Sequence, residues 1–345
     1  MATSFINIPT GAGLVPAYML DAIGISSDST VVDFSILIGS KQVYSSQLCP
    51  YDNTVTLDDI ASVVLDCMTL RSLVTSPVTL IANGSSLTLN VLFCKANFGT
   101  GFVPEKALWL SSSVVGSHRG AAVALAGVDA DKATVFAFGY DSDGKPLSAA
   151  VSVRPHQIDS CQAAYPVNDI IAAAAGNIVE PVYAVLRRPG CADLTVLLQQ
   201  HKFFLTFCFR NVFGCTEYVD IPCTVTTKDE YESAVALCAG QAKRYDTAIS
   251  QTFELTSAPL PSFTMKAVRQ LVASDSVRLL TSGGLVDVVI SKPQFEDSND
   301  DDSSARADFS FRPGSAGLSF LYDDFSDLMP DAGRVFSDQF STQFS

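Results

Sequence analysis

The sequence predicts a mainly β protein with a few helices, β-sandwich-like and of the α+β type. Short runs of alternating apolar and polar residues recur along most of the chain, turn dipeptides of the Asn-Gly and Asp-Gly type separate them, and few segments have helical spacing. A length of 345 residues is enough for two domains with their own cores. We expect two β-rich domains, 1–155 and 156–312, each with one packed helix, followed by an acidic, Phe-rich C-terminal arm, 313–345.

The first domain begins with two strands and a helix. Alternation predicts a strand over Thr30–Ile38 and a second, after a Gly-Ser turn, over Gln42–Tyr44. Thr56 with Asp59 three residues later is a variant of the capping box, which marks a helix start. The apolar residues that follow have helical spacing: Ile60, Val63, Val64 and Cys67. The expected result is one amphipathic helix packed on a sheet.

Two hairpins are predicted to complete the first domain. Strands 78–81 and 87–94 flank an Asn-Gly dipeptide, and strands 134–140 and 147–153 flank an Asp-Gly dipeptide. The Gly/Ala-rich stretch 116–127 between the hairpins has no clear pattern. Because the periodicity also weakens after Arg154-Pro155, we place the domain boundary there.

The second domain has a clearer pattern. Its predicted strands are 182–186, 194–198, 203–209, 217–225 and 252–256. Pro222 falls on the opposite face from the apolar residues of its strand, which indicates an edge strand or a bulge. A helix capped by Ser262 follows, with the apolar stripe Met265, Val268, Leu271 and Val272. A hairpin around Ser282-Gly283-Gly284 and a last strand, 305–312, close the domain.

The C-terminal arm differs from an ordinary disordered tail, which would be poor in aromatic residues. It is rich in Ser and Asp but contains Phe320, Phe325, Phe336, Phe340 and Phe344. The spacing of four between the last three places them on one face of either a helix or a strand. Two interpretations remain open: the arm docks on a neighbouring subunit, or it folds back on its own chain.

Composition and charge exclude several classes of protein. A net charge of −14 without a basic stripe argues against nucleic acid and anionic membranes as partners. No apolar run is long enough to cross a bilayer, and the first residues lack a secretion leader, so we expect synthesis in the cytoplasm without membrane insertion. A hydrophobic content of 48% favours apolar surfaces between subunits. The nine cysteines form no CxxC pair and are expected to be free, mostly buried thiols.

Residues with catalytic or metal-binding chemistry are few. The histidines are His118, His156 and His201, and the motifs of zinc enzymes and serine hydrolases are missing from the sequence. Asp297, Asn299, Asp301 and Asp308 follow a calcium-loop register, but position six is Asp302 instead of Gly, which favours a solvated loop. We therefore predict no enzyme activity, no cofactor and no metal site, and leave open whether loop 296–302 binds calcium.

One hairpin is the most distinctive feature of the sequence. In FCFRNVFGCTEYVDIPCTV, Arg210 and Glu217 stand on two strands beside a turn fixed by Gly214. We expect them to form an opposite-charge cross-strand pair that sets the register.

The only Trp, Trp109, has two interpretations: it stacks on a sugar, or it is buried.

The order of motifs from residue 201 onward carries a resemblance. An aromatic strand ending in FRN is followed by Phe213-Gly214-Cys215, then AKRYDT, VRLLTSGGLVDVVIS and a final FSFR. This order resembles structural proteins encoded among the tail-assembly genes of phages and prophages of Bacteroides-like bacteria, which are similar to distal tail or baseplate proteins. The resemblance covers 201–312, and this chain departs from the family pattern by continuing into the Phe-rich arm.

The resemblance implies a structural protein of a phage tail that is made in the cytoplasm of a bacterial host and located in the virion. Its partners would be copies of itself in a ring, for which we expect a hexamer, and other tail proteins. We predict contacts with these partners at Phe325, Phe336, Phe340, Phe344, Arg210 and Glu217. The alternative is a β-sandwich module that binds glycans or a receptor through Trp109 or Tyr218, and an enzyme using His118 or His156 ranks last.

Overall fold

In the computed structural model the chain is mainly β with a few helices, as predicted. The structure describes residues 2–9, 13–99, 101–176, 178–199, 203–238, 241–281, 284–296 and 305–314. Within them three apolar clusters are buried, each formed mostly by one successive part of the chain; the middle cluster also includes Val74, Leu92, Phe213 and Cys215. We call these parts the N-terminal unit (2–93), the middle unit (94–199) and the barrel unit (203–314).

The N-terminal unit contains two sheets and a helix. Its strands are β1 (Thr3–Ile6), β2 (Leu14–Pro16), β3 (Gly24–Ser27), β4 (Val32–Ile38), β5 (Lys41–Leu48), β6 (Thr54–Thr56), β7 (Thr75–Ala82) and β8 (Ser85–Leu92). The sheet orders are β1-β3-β6 and β2-β8-β7-β4-β5. The hairpin of β7 and β8 is confirmed: Asn83 and Gly84 both have positive φ, as a tight two-residue turn requires.

The helix of this unit, α1 (Ile60–Leu70), starts differently from the prediction. Asp59 is its N-cap but has left-handed φ and ψ, and its side chain makes no capping hydrogen bond, so the capping box with Thr56 is wrong. The backbone N–H of Ala61 instead donates to Asp21 Oδ1 at 2.8 Å. Asp21 follows β2 in the 3-10 helix Ala17–Ala22, so the cap comes from a distant part of the chain.

The middle unit also pairs two sheets around a short helix. Its elements are β9 (Val114–Ser117), β10 (Ala122–Ala126), a 3-10 helix (Ala130–Lys132), β11 (Thr134–Tyr140), β12 (Pro146–Val151), β13 (His156–Asp159), β14 (Gln162–Pro166), α2 (Val167–Ala174), β15 (Glu180–Arg187) and β16 (Leu194–Leu198). The sheet orders are β12-β11-β15-β16-β9 and β10-β14-β13. The β11–β12 hairpin was predicted, whereas α2 was not.

Strand pairing in the middle unit crosses residue 155, where the sequence predicted a boundary. β11 lies before that residue and β15 after it, and the two strands are hydrogen-bonded from Thr134 to Tyr140. Residues from both sides, such as Val135 and Leu186, belong to one buried cluster. The chain therefore forms one apolar core across residue 155.

The barrel unit is a closed barrel, although the sequence predicted a β-sandwich-like arrangement. Its elements are β17 (Phe204–Arg210), β18 (Thr216–Cys238), β19 (Gln241–Ser257), α3 (Ser262–Ala273), β20 (Val277–Thr281), β21 (Gly284–Glu296) and β22 (Arg306–Pro313), in the order β17-β18-β19-β22-β21-β20. Met265, Val268 and Leu271 of α3 join the core as predicted. Ser262 is not the cap, because the N-cap residue is Pro261.

Pro222 marks a corner in β18. Pairing with β17 ends at Pro222, opposite Phe204, and pairing with β19 begins at Cys223, opposite Ser257. Proline has no N–H to donate to a ladder, so it fits the point at which a strand changes partners. The strand lies inside the barrel order, so the predicted edge position is wrong.

Candidate functional site

The hairpin between β17 and β18 lies where the three units meet. Asn211 shapes its turn, because Asn211 Oδ1 accepts hydrogen bonds from the backbone N–H groups of Phe213 (3.0 Å) and Cys215 (3.1 Å). Gly214 has φ +72°, and a Cβ there would lie 2.9 Å from the Phe93 ring of the N-terminal unit. Glycine is therefore required both by the backbone conformation and by the close approach.

Arg210 links the barrel unit to the N-terminal unit. Its guanidinium donates to the backbone oxygens of Thr69 (3.2 Å), Leu73 (3.4 Å) and Gly214 (3.2 Å) and lies 4.7 Å from the centre of the Phe93 ring. Burial lowers the pKa of Arg210. The contacts with Thr69 and Leu73 place this arginine at the C-terminal end of α1, where a cation is favourable.

Glu217 links the barrel unit to the middle unit. Its carboxylate accepts hydrogen bonds from Ser111 N (3.0 Å), from Ser111 Oγ and from Asn211 Nδ2 (2.9 Å). The side chain is buried, and this burial raises the pKa of Glu217 although the donors act in the opposite direction. The hairpin therefore holds a buried acid among fixed polar partners.

The predicted pair between Arg210 and Glu217 is wrong. Arg210 lies opposite Thr216 and Glu217 opposite Phe209, so the two residues occupy different rungs and their side chains reach different units. Each contributes to a contact within the chain, as described above. Their predicted role in contacts with partner proteins stays a prediction.

A second polar group joins the barrel to the middle unit. His118 Nδ1 and Asp220 Oδ2 are 2.6 Å apart, Thr206 Oγ1 donates to Asp220 Oδ1 at 2.7 Å, and the imidazole packs on the ring of Phe204. Among the described residues, no hydroxyl or thiol is a hydrogen-bond partner of this imidazole. The nearby cavity lined by Asp220 and Ser117 has a volume of about 10 Å³, which is the size of one water molecule. The arrangement thus serves as a contact between units.

Sequence reasoning did not find these partners. Asp220 and His118 are 102 residues apart, and Ser111 and Glu217 are 106 residues apart. A single sequence contains no local signal for such pairs. The FRN motif was the one usable signal, and it located the junction without revealing its partners.

Of the two aromatic residues of the glycan-binding alternative, Trp109 lies inside the protein and Tyr218 is half-buried. Trp109 is fully buried, its Nε1 donates to Pro104 O at 2.9 Å, and its backbone oxygen accepts from Asn211 Nδ2. Burial also raises the pKa of Tyr218. The burial of Trp109 excludes the sugar-stacking interpretation of this residue.

The strands β18 and β19 continue beyond the barrel as a two-stranded ribbon. Pairing with β17 stops at Pro222 and pairing with β22 stops at Phe253, whereas the two strands pair with each other out to Cys238 and Gln241. We call the part formed by 228–238 and 241–252 the ribbon. Its strands are about 36 Å long at the usual rise per residue. Among the described residues, no third strand pairs with it.

Several predicted site residues lie outside the described residues. They are Phe325, Phe336, Phe340 and Phe344 of the arm, His201, and the loop residues Asp297, Asn299 and Asp301. Asp308 is in β22, opposite Thr256 and Gln294. Within the described ranges, His, Cys, Asp and Glu side chains form no group of three suited to a metal ion.

The cysteines whose side chains the structure describes, which are all except Cys238, are free. Cys94, Cys208, Cys215 and Cys223 are buried, and burial raises the pKa of Cys94 to about 11 and that of Cys223 to about 12. These thiols are therefore protonated at neutral pH and pack as small apolar side chains.

In the described part of the chain, no helix has the length and apolar character to cross a membrane.

The solved structures that are similar to this chain include two from gene transfer agent particles. No family model and no curated protein match the chain. A chain from the tail of an empty gene transfer agent particle, refined with helical and C6 symmetry, is 14% identical, with a TM-score of 0.25; the match covers 34% of this chain and 96% of that one. A chain from the virion of a native gene transfer agent particle is 13% identical, with a TM-score of 0.25, over 34% of this chain and 95% of that one.

Proposed function

We propose that this protein is a structural component of a phage tail, of the distal tail or baseplate type. In this proposal it assembles with copies of itself into a ring, for which a hexamer is the first size to test, and docks other tail proteins. The Phe residues of the arm contact these partners, and the virion is its location. The ribbon is the observation that carries the proposal, and the sequence resemblance over 201–312 supports it.

The ribbon has the backbone chemistry of an assembly element. A two-stranded ribbon is marginally stable alone in water, because half of its backbone groups have no ladder partner. Each strand of the ribbon has one edge without a third strand among the described residues. Such edges pair readily with strands of another chain. We infer that ribbons of neighbouring copies pair side by side.

The charges of the two strands support a head-to-tail order. By sequence, segment 228–238 of β18 has a net charge of −2 and segment 241–252 of β19 has a net charge of +1. A net acidic strand therefore lies beside a net basic strand when β18 of one copy pairs with β19 of the next. Because the two surfaces differ, the contact is heterologous, and a heterologous contact closes into a ring when its rotation permits.

Charge reversal on one edge tests this contact. We expect the purified full chain to form an oligomer of defined mass by mass photometry across nanomolar to micromolar concentration. Lys243→Glu combined with Arg244→Glu places acidic side chains on both edges, and the association is expected to weaken about tenfold, because like charges on facing strands repel. Adding Glu230→Lys and Glu232→Lys to that variant restores opposite charges and association.

Lys132→Glu with Lys145→Glu is the matched control. It changes the net charge by the same amount at exposed lysines of the middle unit and is expected to leave association unchanged. Circular dichroism checks that each variant is folded. A wild-type chain that is monomeric at every concentration would overturn the proposed function.

A further inference from the structure

The five-stranded sheet of the middle unit has one buried face and one partly exposed face. Val135, Ala137, Ala184, Leu186 and Val196 form the buried face and belong to the core of the unit. Strand alternation places the residues between them on the other side. On β11 and β15 this side contains Phe136, Phe138, Tyr140, Tyr183 and Val185, which we call the outer aromatic face; Ser148 and Thr195 of the neighbouring strands lie beside it.

Cross-strand contacts make the outer aromatic face continuous. Phe138 lies opposite Tyr183, and their rings stack at 4.6 Å with an interplanar angle of 6°. Phe136 lies opposite Val185, and the Arg187 guanidinium lies 5.3 Å from the Phe136 ring. Tyr140, at the end of the row, is 43% exposed. The face is thus a rigid apolar surface built on central strands.

No described part of the chain buries this face in a core. Among the described residues, none of the five belongs to the three buried clusters or to the side chains packed against them. Contiguous apolar patches on a protein surface usually mark an interaction site. An occupant of this face would need an apolar surface of its own.

We propose that the Phe-rich C-terminal segment of a neighbouring copy, residues 315–345, covers the outer aromatic face. The described chain ends at Gly314, beside Asp287 of the barrel. The 22 residues from 315 to Phe336 span up to about 70 Å when extended, which exceeds the diameter of a unit. The segment is therefore long enough to reach a second copy.

The pattern of the segment suits this surface. Phe336, Phe340 and Phe344 share one side of either a strand or a helix, and Ser, Asp, Gln and Thr fill the positions between them. Such a segment presents aromatic rings to the sheet and polar groups to water. Rings that meet the Phe138–Tyr183 pair gain offset or edge-to-face contacts in addition to apolar burial.

The choice of a neighbouring copy rests on the proposed ring. The segment and the face are two different surfaces of one chain, so a contact between copies is heterologous, with each copy donating one segment and receiving one. This is the same head-to-tail order that the charges of the ribbon favour. The two contacts then reinforce each other around the ring.

Photo-crosslinking of the full chain tests the proposal. Phe340→p-benzoylphenylalanine is prepared in unlabelled and ¹⁵N-labelled chains, which are mixed before assembly and irradiated. We expect cross-linked peptides that join residue 340 to Thr134–Tyr140 or Glu180–Arg187, with mixed light–heavy pairs at the statistical frequency. Phe138→Asp is expected to remove these cross-links, whereas Tyr51→Asp, at an exposed site of the N-terminal unit, is expected to retain them.

The other possible results of the cross-linking experiment contradict either this inference or the proposed ring. Cross-links to the outer aromatic face in unmixed pairs alone mean that the segment folds back on its own chain, and cross-links elsewhere mean that the face has another occupant; both overturn this inference. Mass photometry of the same samples separates it from the proposed function. Closed oligomers without these cross-links refute only the inference, and mixed cross-links without a closed oligomer refute only the ring.

Discussion

At the residue scale, Glu217 shows how a buried acid is accommodated at the junction. Its two carboxylate oxygens accept from Ser111 N, Ser111 Oγ and Asn211 Nδ2. A glutamine in the same position keeps this pattern: its oxygen accepts from Ser111 N and Asn211 Nδ2, and its amide N–H donates to Ser111 Oγ, which is able to accept. The charge of Glu217 is therefore not needed for the contacts that it makes.

Glu217→Gln is expected to change how stability depends on pH. Because burial raises the pKa of Glu217, its contribution to the free energy of unfolding is fully present below the pKa of an unfolded glutamate and is lost as pH rises through the folded pKa. The glutamine variant has no such loss. Urea unfolding between pH 4 and 7 should show the variant gaining stability relative to the wild type as pH rises.

Glu217→Ala is the contrasting variant. It leaves the donors of Ser111 and Asn211 without an acceptor and is expected to cost about 3 kcal/mol of stability at neutral pH. A glutamine variant that is as unstable as the alanine variant, or a constant difference from the wild type across the pH range, would contradict this account.

The hydrogen-bond partners of Arg210 and Glu217 could not be predicted from the sequence. The residue types at positions 210 and 217, with Gly214 between them, predicted a hairpin, and β17 and β18 form one. An ion pair across that hairpin depends on the register, and a shift of one residue moves a side chain to the opposite face. The backbone oxygens of Thr69 and Leu73 that Arg210 binds belong to a distant helix end, which local pattern does not reveal.

At the element scale, local signals predicted most strands but not the ribbon. The predicted strand 217–225 ended where the sequence becomes TTKDEYE, a polar run on both faces. Alternation of apolar and polar residues identifies strands that bury one face, and this polar run has no such alternation. A weak pattern also explains why α2 was not predicted, because its eight residues are too few for a clear helical period.

The start of α1 provides a paired test at this scale. Asp21→Ala removes the acceptor of the Ala61 N–H and is expected to lower stability by about 1 kcal/mol, the usual cost of losing an N-terminal cap. Thr56→Ala is the control, because Thr56 belongs to β6 and makes no capping bond to α1. Urea unfolding of both variants measures the two differences. A larger cost for Thr56→Ala than for Asp21→Ala would restore the capping box.

At the scale of the whole molecule, the sequence could not locate the units, because their strands pair across long distances. The boundary predicted at residue 155 followed a weakening of periodicity, yet β11 and β15 meet across it. What the sequence did indicate was the importance of 207–225, which supplies the hairpin where the three units meet. The chain is thus organised around a junction between cores.

Trp109 makes that junction observable. Its indole is buried in the middle unit, and its backbone oxygen accepts from Asn211 of the barrel unit at 2.9 Å. As the only Trp, it reports this environment without labelling.

In the wild type we expect the fluorescence and far-UV circular dichroism transitions to coincide on heating, because contacts through Arg210, Asn211 and Glu217 make the units unfold together. Asn211→Ala removes the bonds to Trp109, Glu217 and the turn, so the fluorescence transition should occur at a lower temperature than the loss of β structure. Asn83→Ala, in a hairpin of the N-terminal unit, is expected to keep the two transitions together even where it lowers both. Coincident transitions in Asn211→Ala would mean that the cores are coupled through other contacts, such as the one between His118 and Asp220.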